Sequence, residues 1–263
     1  MKLPSAFSLL FVLVVMEVVA QINYSQNCAN SIGTCQNACW AVLCNRVTRM
    51  VTYDSNRANQ APRRRASGCS RNPCNNNNLP YRRFGNSCDE YPFASVREGG
   101  AGAKLRCVPK GQNDSQGGQL SAFYRNSGIQ NGQRYGVTLR NYGGASFCKQ
   151  SPTCRNDGGQ FHLRGGNFAL GRRGEEFVED VMPAGNSTAG GQAEEWEPVK
   201  LRTLEDEDGH FHLVIAEDPD HPIRVGDVVW TDSINGTVRL VREVPSEETG
   251  DEGSGRHGSE ERA

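Results

Sequence analysis

The chain has 263 residues, 22% of them charged, a mean hydropathy of −0.62 and a formal net charge of −1. This polar composition, with one short apolar run near the N-terminus, excludes a protein with several membrane spans. The length allows either one large domain or two small ones.

The first 20 residues have the pattern of a secretory signal peptide. Lys2 is followed by an apolar run from Leu9 to Val15 and then by small residues. Glu17 interrupts this run well before the ~20 apolar residues that a membrane-spanning helix needs. We therefore predict a signal peptide over residues 1–20, a secreted, extracellular product that begins near Gln21, and no membrane partner.

The cysteines indicate a disulfide framework. All of them follow the predicted signal peptide, at Cys28, Cys35, Cys39, Cys44, Cys69, Cys74, Cys88, Cys107, Cys148 and Cys154. Their even number in an exported chain predicts five disulfide bonds, although the spacing does not determine the pairing. A zinc site is the alternative, but the sequence has no Cys-x2-Cys pair and all histidines follow the last cysteine.

Charge divides the chain into two regions. Gln21–Gly174 contains 21 Lys and Arg against 6 Asp and Glu, whereas Glu175–Ala263 contains 7 against 23. A strongly basic region attracts polyanions such as nucleic acid in a salt-dependent way. A basic surface that is merely solvated is the alternative.

Local patterns predict an α+β fold in which a small disulfide-stapled domain precedes a β-rich acidic region and a disordered tail. A helix is expected around 35–49 and another beginning at 120–124, with strands at 104–108 and 135–139. Later β-prone runs include Asn235-Gly236, a hairpin signal. The predicted order is a cysteine-rich basic domain over 21–160, a boundary and linker over 161–195, a β-rich acidic module over 196–244 and a disordered acidic tail over 245–263.

Half of the acids in the basic region lie close together. Asp89, Glu90 and Glu98 fall within ten residues of one another. Carboxylates repel a phosphate backbone unless a divalent cation lies between them, so this cluster predicts a metal-assisted phosphodiesterase site. Ordinary ion pairs with Arg97 or Arg106 are the alternative.

Three segments follow one another around these acids. They are Asp89-Glu90-Tyr91-Pro92, Glu98-Gly99-Gly100 and an Asn-x-x-x-Gly type turn within 113–118. In this order the chain resembles the NucA/NucB deoxyribonuclease family, over roughly residues 60–145. The resemblance implies a secreted endonuclease that depends on a divalent cation, Mg²⁺ or Mn²⁺, and cleaves DNA with little sequence preference. RNA stays open as a second substrate.

The resemblance also implies roles for individual residues. Asp89 would be the general base or a direct metal ligand, with Glu90 and Glu98 as further catalytic candidates. Adjacent side chains of a strand point to opposite faces, so Glu98 is the preferred second carboxylate. The predicted metal ligands are Asp89, Glu98, Asn113 and Gln116. The predicted substrate-binding residues are Arg97, Arg106, Gly99, Gly100, Gly117 and Gly118.

The sequence contains four N-glycosylation sequons. Asn23, Asn186 and Asn235 are the candidates for modification. Asn113 also begins a sequon, but a glycan there would crowd the predicted site, so we expect it to stay unmodified.

Two other functional classes and one form of regulation are open. An inactive secreted effector or nucleic-acid-binding protein on the same fold would bind DNA without cleaving it, and a cysteine-rich cell-wall protein would not respond to DNA. An acidic region tethered to a basic domain also predicts an intramolecular contact that slows cleavage at low salt and is released by truncation after Gly174. A purely solubilising role for the acids is the alternative.

Overall fold

The computed structural model describes residues 22–48, 50–149, 152–174 and 201–245. The predicted signal peptide, residues 175–195 of the predicted linker, the tail from residue 246 and the sequon at Asn186 lie outside the described residues. Within the described part of the chain, no helix has both the length and the apolar composition needed to cross a membrane.

The described residues combine strands and helices. The strands are β1 (Asn23–Asn27), β2 (Val51–Thr52), β3 (Ser87–Tyr91), β4 (Lys104–Val108), β5 (Arg134–Tyr135), β6 (Val137–Arg140), β7 (Gln160–Arg164), β8 (Asn167–Leu170), β9 (Arg202–Asp206), β10 (Phe211–Ala216), β11 (Val228–Thr231) and β12 (Gly236–Val244). The α-helices are α1 (Ile32–Cys39), α2 (Gln60–Ser67) and α3 (Lys110–Asn126), and a π-helical turn, Trp40–Cys44, continues α1. This mixture confirms the predicted α+β class.

Six strands from both charge regions close into one barrel, in the order β1, β11, β12, β9, β10 and β6. Strand β1 runs parallel to both of its neighbours, and the other pairs are antiparallel. Strands β11 and β12 form the hairpin that Asn235-Gly236 predicted. The acidic region is therefore β-rich as expected, and two strands of the basic region complete its barrel. The domain boundaries themselves stay a prediction.

The side chains on the two faces of the barrel strands belong to two different apolar clusters. One cluster joins residues of four barrel strands and a nearby loop: Leu204, Val214, Ile223, Val229, Val238 and Leu240. Their neighbours Leu213 and Trp230 belong instead to the cluster that contains Phe123 of α3. Because side chains of a strand alternate between its faces, one cluster fills the barrel and the other packs the barrel against the rest of the chain.

A second, antiparallel sheet has the order β3, β4, β7 and β8. Leu105 of β4 and Phe161 of β7 share an apolar cluster with Tyr81, whose ring stacks on Phe161 at a centroid distance of 4.0 Å. Helix α1 contacts strands β3 and β4. Strands β2 and β5 form a separate antiparallel pair.

Five disulfide bonds are present, as predicted. They are Cys28–Cys35, Cys39–Cys148, Cys44–Cys154, Cys69–Cys88 and Cys74–Cys107. Two of them attach α1 and its π-helical continuation to the segment that follows β6. Two others attach the segment after α2 to strands β3 and β4.

The turn predicted within 113–118 is wrong, because these residues lie in the middle of α3. The helix begins directly after Pro109, and Lys110 and Asp114 form an i, i+4 ion pair in its first turns. Leu120 and Phe123 are buried by tertiary contacts. This packing outweighs the low helix propensity of the glycines, which suggested a turn.

Candidate active site

Strand β3 presents its two acidic side chains to opposite faces, as the alternation of a strand requires. Asp89 Oδ2 accepts a hydrogen bond from Asn37 Nδ2 of α1 at 2.8 Å. Glu90 Oε2 accepts one from the Ser67 hydroxyl of α2 at 2.5 Å, and Glu90 Oε1 lies 3.8 Å from Arg64 Nε. The two carboxylates therefore face different helices, and that they cannot serve one phosphate together stays a prediction.

Burial changes the acidity of both carboxyl groups. The pKa of Asp89 is raised to about 7, chiefly by burial and also by the nearby charge of Glu90, although the Asn37 hydrogen bond, a backbone hydrogen bond from Glu90 and the charge of Arg106 oppose the rise. Burial also raises the pKa of Glu90, against a hydrogen bond from Ser67 and the charge of Arg64. Asp89 therefore exchanges its proton near neutral pH, the range in which a general base is effective.

Asn37 links Asp89 to the neighbouring strand. Its Nδ2 donates to Asp89 Oδ2 at 2.8 Å and to the backbone carbonyl of Lys104 at 3.0 Å. Its Oδ1 is buried and accepts no hydrogen bond from the described residues. The sequence analysis missed Asn37, because a polar residue among the cysteines of a short helix carries no local signal of a site.

Glu98 is held in a different environment from Asp89. Glu98 Oε1 accepts from the Thr52 hydroxyl at 2.6 Å, and Oε2 accepts from the Thr52 backbone N–H at 2.8 Å. Its side chain also lines a surface pocket together with Arg46 and Lys104. These contacts bind the Glu98 side chain to strand β2. None of them connects Glu98 with the Asp89 carboxylate.

The two predicted amide ligands lie on α3 and have different surroundings. Asn113 Nδ2 donates to the Ser87 hydroxyl at 2.8 Å and to the carbonyl of Cys88 at 3.3 Å, beside Asp89. The Asn113 Oδ1 accepts no hydrogen bond from the described residues and is therefore available to bind a ligand. Gln116 is buried and donates to Gln26 Oε1 at 3.3 Å, which places it in the contact between α3 and β1.

The predicted substrate-binding arginines differ in availability. Arg106 is buried and its guanidinium binds Asp157 at 3.0 and 2.6 Å, so it is already paired. Arg97 is exposed. Arg106 also stands in register with Asp89 and with Gln160, whose buried side-chain amide has no partner among the described residues. The structure thus extends a polar row across the sheet from Asp89.

The four predicted substrate-binding glycines fall into two pairs. A Cβ on Gly99 would lie 2.1 Å from the carbonyl oxygen of Phe93, and Gly100 has φ +113°, so both are needed by the loop itself. Gly117 and Gly118 are exposed on α3, where a Cβ would meet nothing within 4 Å. Only the second pair leaves its surface open to a ligand.

The sequons also differ in exposure. Asn23 is buried in β1, and its side chain accepts a hydrogen bond from the Gly136 N–H at 2.8 Å, so it is a poor site for a glycan. Asn113 is bonded to strand β3, consistent with the expectation that it stays unmodified. Asn235 is exposed in the β11–β12 turn. Modification at Asn235 stays a prediction.

One acidic cluster lies outside this region. Among the described residues, Asp206, Asp208 and His210 bring ligand atoms within 4.8 Å of one another. Asp206 Oδ1 accepts from the backbone N–H groups of Asp208 and His210, and Oδ2 lies 2.8 Å from His212 Nε2. The turn between β9 and β10 therefore accounts for the cluster without a cation.

A comparison with protein families identifies the region around Asp89. Residues 38–138 match the model of the family described as Deoxyribonuclease NucA/NucB. The match confirms the resemblance that the three motifs predicted, and it begins one residue after Asn37. A comparison with curated proteins found no match.

Proposed function

We propose that this chain, which carries a NucA/NucB-type deoxyribonuclease domain over residues 38–138, is a secreted endonuclease that hydrolyses phosphodiester bonds of DNA. The cleavage would require a divalent cation and show little sequence preference. The observation that supports this most directly is the buried Asp89 of the family motif, held by Asn37 and with a pKa of about 7.

The side chains around Asp89 suit a hard divalent cation. Asp89 supplies a carboxylate, and Asn113 Oδ1 accepts no bond from the described residues. Mg²⁺ and Mn²⁺ prefer oxygen ligands, and Mg²⁺ commonly binds through one or two protein groups while keeping several waters. Asn113, which is bonded to the carbonyl of the residue before Asp89, would hold the cation, and Glu98 and Gln116 are engaged elsewhere. When bound, the cation would neutralise charge on the phosphate.

The protein's own part in the reaction is a proton transfer. A water oxygen forms a bond to phosphorus, and the bond from phosphorus to the leaving sugar oxygen breaks. Asp89, once ionised, accepts the proton that the attacking water loses, and the leaving oxygen takes a proton from solvent. Arg97 and the open helix surface at Gly117 and Gly118 are the substrate contacts that we propose.

Charge and the N-terminal sequence support the substrate class and the location. Residues 21–174 carry 21 basic against 6 acidic side chains, which favours binding to a polyanion with marked salt dependence. The predicted signal peptide and the five disulfide bonds are typical of an exported protein. DNA is the substrate that the family match favours, with RNA as a second polymer to assay.

The function is tested with purified mature protein and supercoiled plasmid DNA, in Mg²⁺, in Mn²⁺ and in EDTA. Wild type should cut the plasmid only with the cation. Asp89→Asn should lose at least about 100-fold in kcat, the usual size of a general-base contribution, while its salt-dependent DNA binding stays within a factor of two. Cleavage by Asp89→Asn at the wild-type rate would remove Asp89 from the mechanism.

One observation favours a second candidate function. Asp89 is only 3% exposed and Glu98 is bound to Thr52, so the second predicted carboxylate does not join the first. An inactive nucleic-acid-binding protein on this fold would have the same basic surface. Salt-dependent DNA binding without cleavage in any of the cation conditions would support it.

A further inference from the structure

We infer that Asn37 is a positioning residue for the reaction proposed above, because it sets the orientation of the Asp89 carboxylate relative to the β3–β4 sheet. The inference rests on the proposed function and adds a residue that lies outside the family match, which begins at residue 38.

The hydrogen bonds of Asn37 define this orientation. One amide nitrogen donates to Asp89 Oδ2 at 2.8 Å and to the Lys104 carbonyl at 3.0 Å. Lys104 lies on β4, where Arg106 is the register partner of Asp89. The carboxylate is therefore tied to the backbone of the adjacent strand through a single side chain, which leaves it little freedom to rotate.

The unpaired oxygen of Asn37 argues against a packing role. Asn37 is fully buried, yet its Oδ1 has no donor among the described residues. A buried acceptor without a partner destabilises a protein, so an apolar side chain of similar volume would fill this place at a lower cost. The donor function of Nδ2 gives a reason for an amide at this position.

Helix α1 is fixed firmly enough to act as a support. Disulfide bonds attach Cys35 to Cys28 and Cys39 to Cys148 on either side of Asn37. At the start of the helix, the Gly33 N–H donates to Gln112 Oε1 at 2.7 Å, and a Cβ on Gly33 would lie 2.8 Å from Val108 Cγ1. The absence of a Cβ allows α1 to lie close to the start of α3.

The adjacent residue provides a matched control. Gln36 lies on the same helix and is also buried, but its amide contacts the Ser146 hydroxyl at 2.6 Å and the Phe147 N–H at 3.2 Å. Asn37→Asp and Gln36→Glu both replace an amide with a carboxylate of the same shape. Only the first removes a donor from Asp89.

The test compares plasmid cleavage by wild type, Asn37→Asp, Asn37→Leu and Gln36→Glu with Mn²⁺, together with thermal unfolding of each protein. Both Asn37 variants should lose at least about tenfold in kcat with KM within twofold, because a transition-state interaction is lost and substrate binding is kept. Gln36→Glu should keep both constants within twofold. If Asn37→Asp does not fold, Asn37→Leu decides, since it keeps the number and branching of the side-chain heavy atoms and removes the unpaired oxygen.

The outcomes separate the two proposals. Wild-type kcat in a folded Asn37 variant, or a rise in KM with unchanged kcat, overturns the positioning role and leaves the proposed function standing. An equal loss in Gln36→Glu also overturns it, because the effect would then belong to the helix in general. Wild-type protein that cuts DNA in none of the cation conditions overturns the proposed function and this inference with it.

Discussion

At the scale of single residues, the environment of Asp89 differs strongly from that of an ordinary surface carboxylate. It is 3% exposed on strand β3, and burial raises its pKa from 3.8 to about 7. In the unfolded chain the same group loses its proton near pH 3.8. Folding therefore makes this carboxyl group hold its proton more tightly, and this difference links stability to pH.

The first prediction concerns that linkage. Between the two pKa values the folded chain binds more protons than the unfolded chain, so the Asp89 contribution to stability falls as pH rises from about 4 to about 7. Asp89→Asn has no proton to lose. Its Tm relative to wild type, measured in EDTA, should therefore increase between about pH 5 and about pH 8. A difference in Tm that is the same at both pH values would contradict the raised pKa.

At the scale of elements, helix α3 contains glycines at positions where no neighbouring atom would contact a Cβ. Gly117 and Gly118 lie within the helix, and a Cβ on either would meet nothing within 4 Å. Glycine inside a helix costs about 0.5–1 kcal/mol relative to alanine. A residue that destabilises its helix without relieving a contact suggests that something outside the chain approaches this surface.

The second prediction tests this helix surface. Gly117→Ala and Gly118→Ala should each stabilise the protein by about 0.5–1 kcal/mol in denaturant unfolding and should raise the KM for DNA. Gly111→Ala, equally open near the start of α3, serves as the control and should stabilise without changing KM. If KM is unchanged in all three variants, the glycines have no part in substrate binding.

Strands β1, β9 and β10 meet through a buried polar chain inside the barrel. His212 Nδ1 lies 2.9 Å from the Ser25 hydroxyl, and His212 Nε2 lies 2.8 Å from Asp206 Oδ2. Burial lowers the pKa of His212 and outweighs its carboxylate partner. Burial acts to raise the pKa of Asp206, but the bonds from His212 and from the His210 backbone N–H bring it below its ordinary value.

The third prediction follows from these two shifts. A histidine whose folded pKa lies below the unfolded value, and a carboxyl group with a lowered pKa, both lose their stabilising contribution as pH falls. Relative to wild type, His212→Gln should therefore show a smaller loss of Tm on going from about pH 7 to about pH 5. His210→Gln, at the half-exposed end of the same turn, should behave as wild type. Parallel pH profiles for wild type and His212→Gln would exclude a role for this ring.

At the scale of the whole molecule, the oppositely charged regions are joined by the barrel as well as by charge. Arg134 binds Asp218 at 3.1 Å, and Arg140 binds Asp232 at 2.9 Å. Trp230 packs with Phe123 of α3 at a centroid distance of 5.9 Å. Strands β9 to β12 therefore cover apolar surface of the region that precedes residue 175.

The fourth prediction concerns truncation. A chain ending at Gly174 lacks β9 to β12, so β1 loses its neighbour β11, β6 loses its neighbour β10, and the cluster around Phe123 is exposed. It should lose cooperative thermal unfolding and aggregate. A chain ending at Pro245 keeps every barrel strand and should keep the wild-type Tm. Native-like unfolding of the shorter form would show that the barrel is dispensable for the fold.

The expected unfolding also changes how the predicted intramolecular brake is tested, that is, the contact of the acidic region with the basic domain that would slow cleavage at low salt. Truncation after Gly174 would remove four barrel strands together with the acidic residues. A loss of activity in that form would therefore reflect unfolding and would not test the brake. Truncation after Pro245 removes acidic residues and keeps every barrel strand. Faster cleavage by that form at low salt, converging with full length as salt rises, would support the brake, and equal rates would contradict it.

Local patterns in the sequence were sufficient for several features. The even number of cysteines predicted five disulfide bonds, strand alternation separated Asp89 from Glu90, and Asn235-Gly236 marked the β11–β12 hairpin. The ordered motifs predicted the family match over residues 38–138. The alternation and the hairpin depend on residues that are close together in the chain, where period and turn chemistry act directly, whereas the disulfide prediction depends on a count of cysteines and the family match on the order of motifs.

Tertiary structure alone decided the rest. Asn37 meets Asp89 across 52 positions and Ser25 meets His212 across 187, so neither contact leaves a local pattern. Packing of Leu120 and Phe123 made a helix of the segment whose glycines indicated a turn, and partners at Thr52 and Asp157 engaged the side chains of Glu98 and Arg106. A sequence shows which groups are able to bind, but the folded chain determines which partners they reach, because burial and hydrogen bonding between distant segments outweigh local propensity.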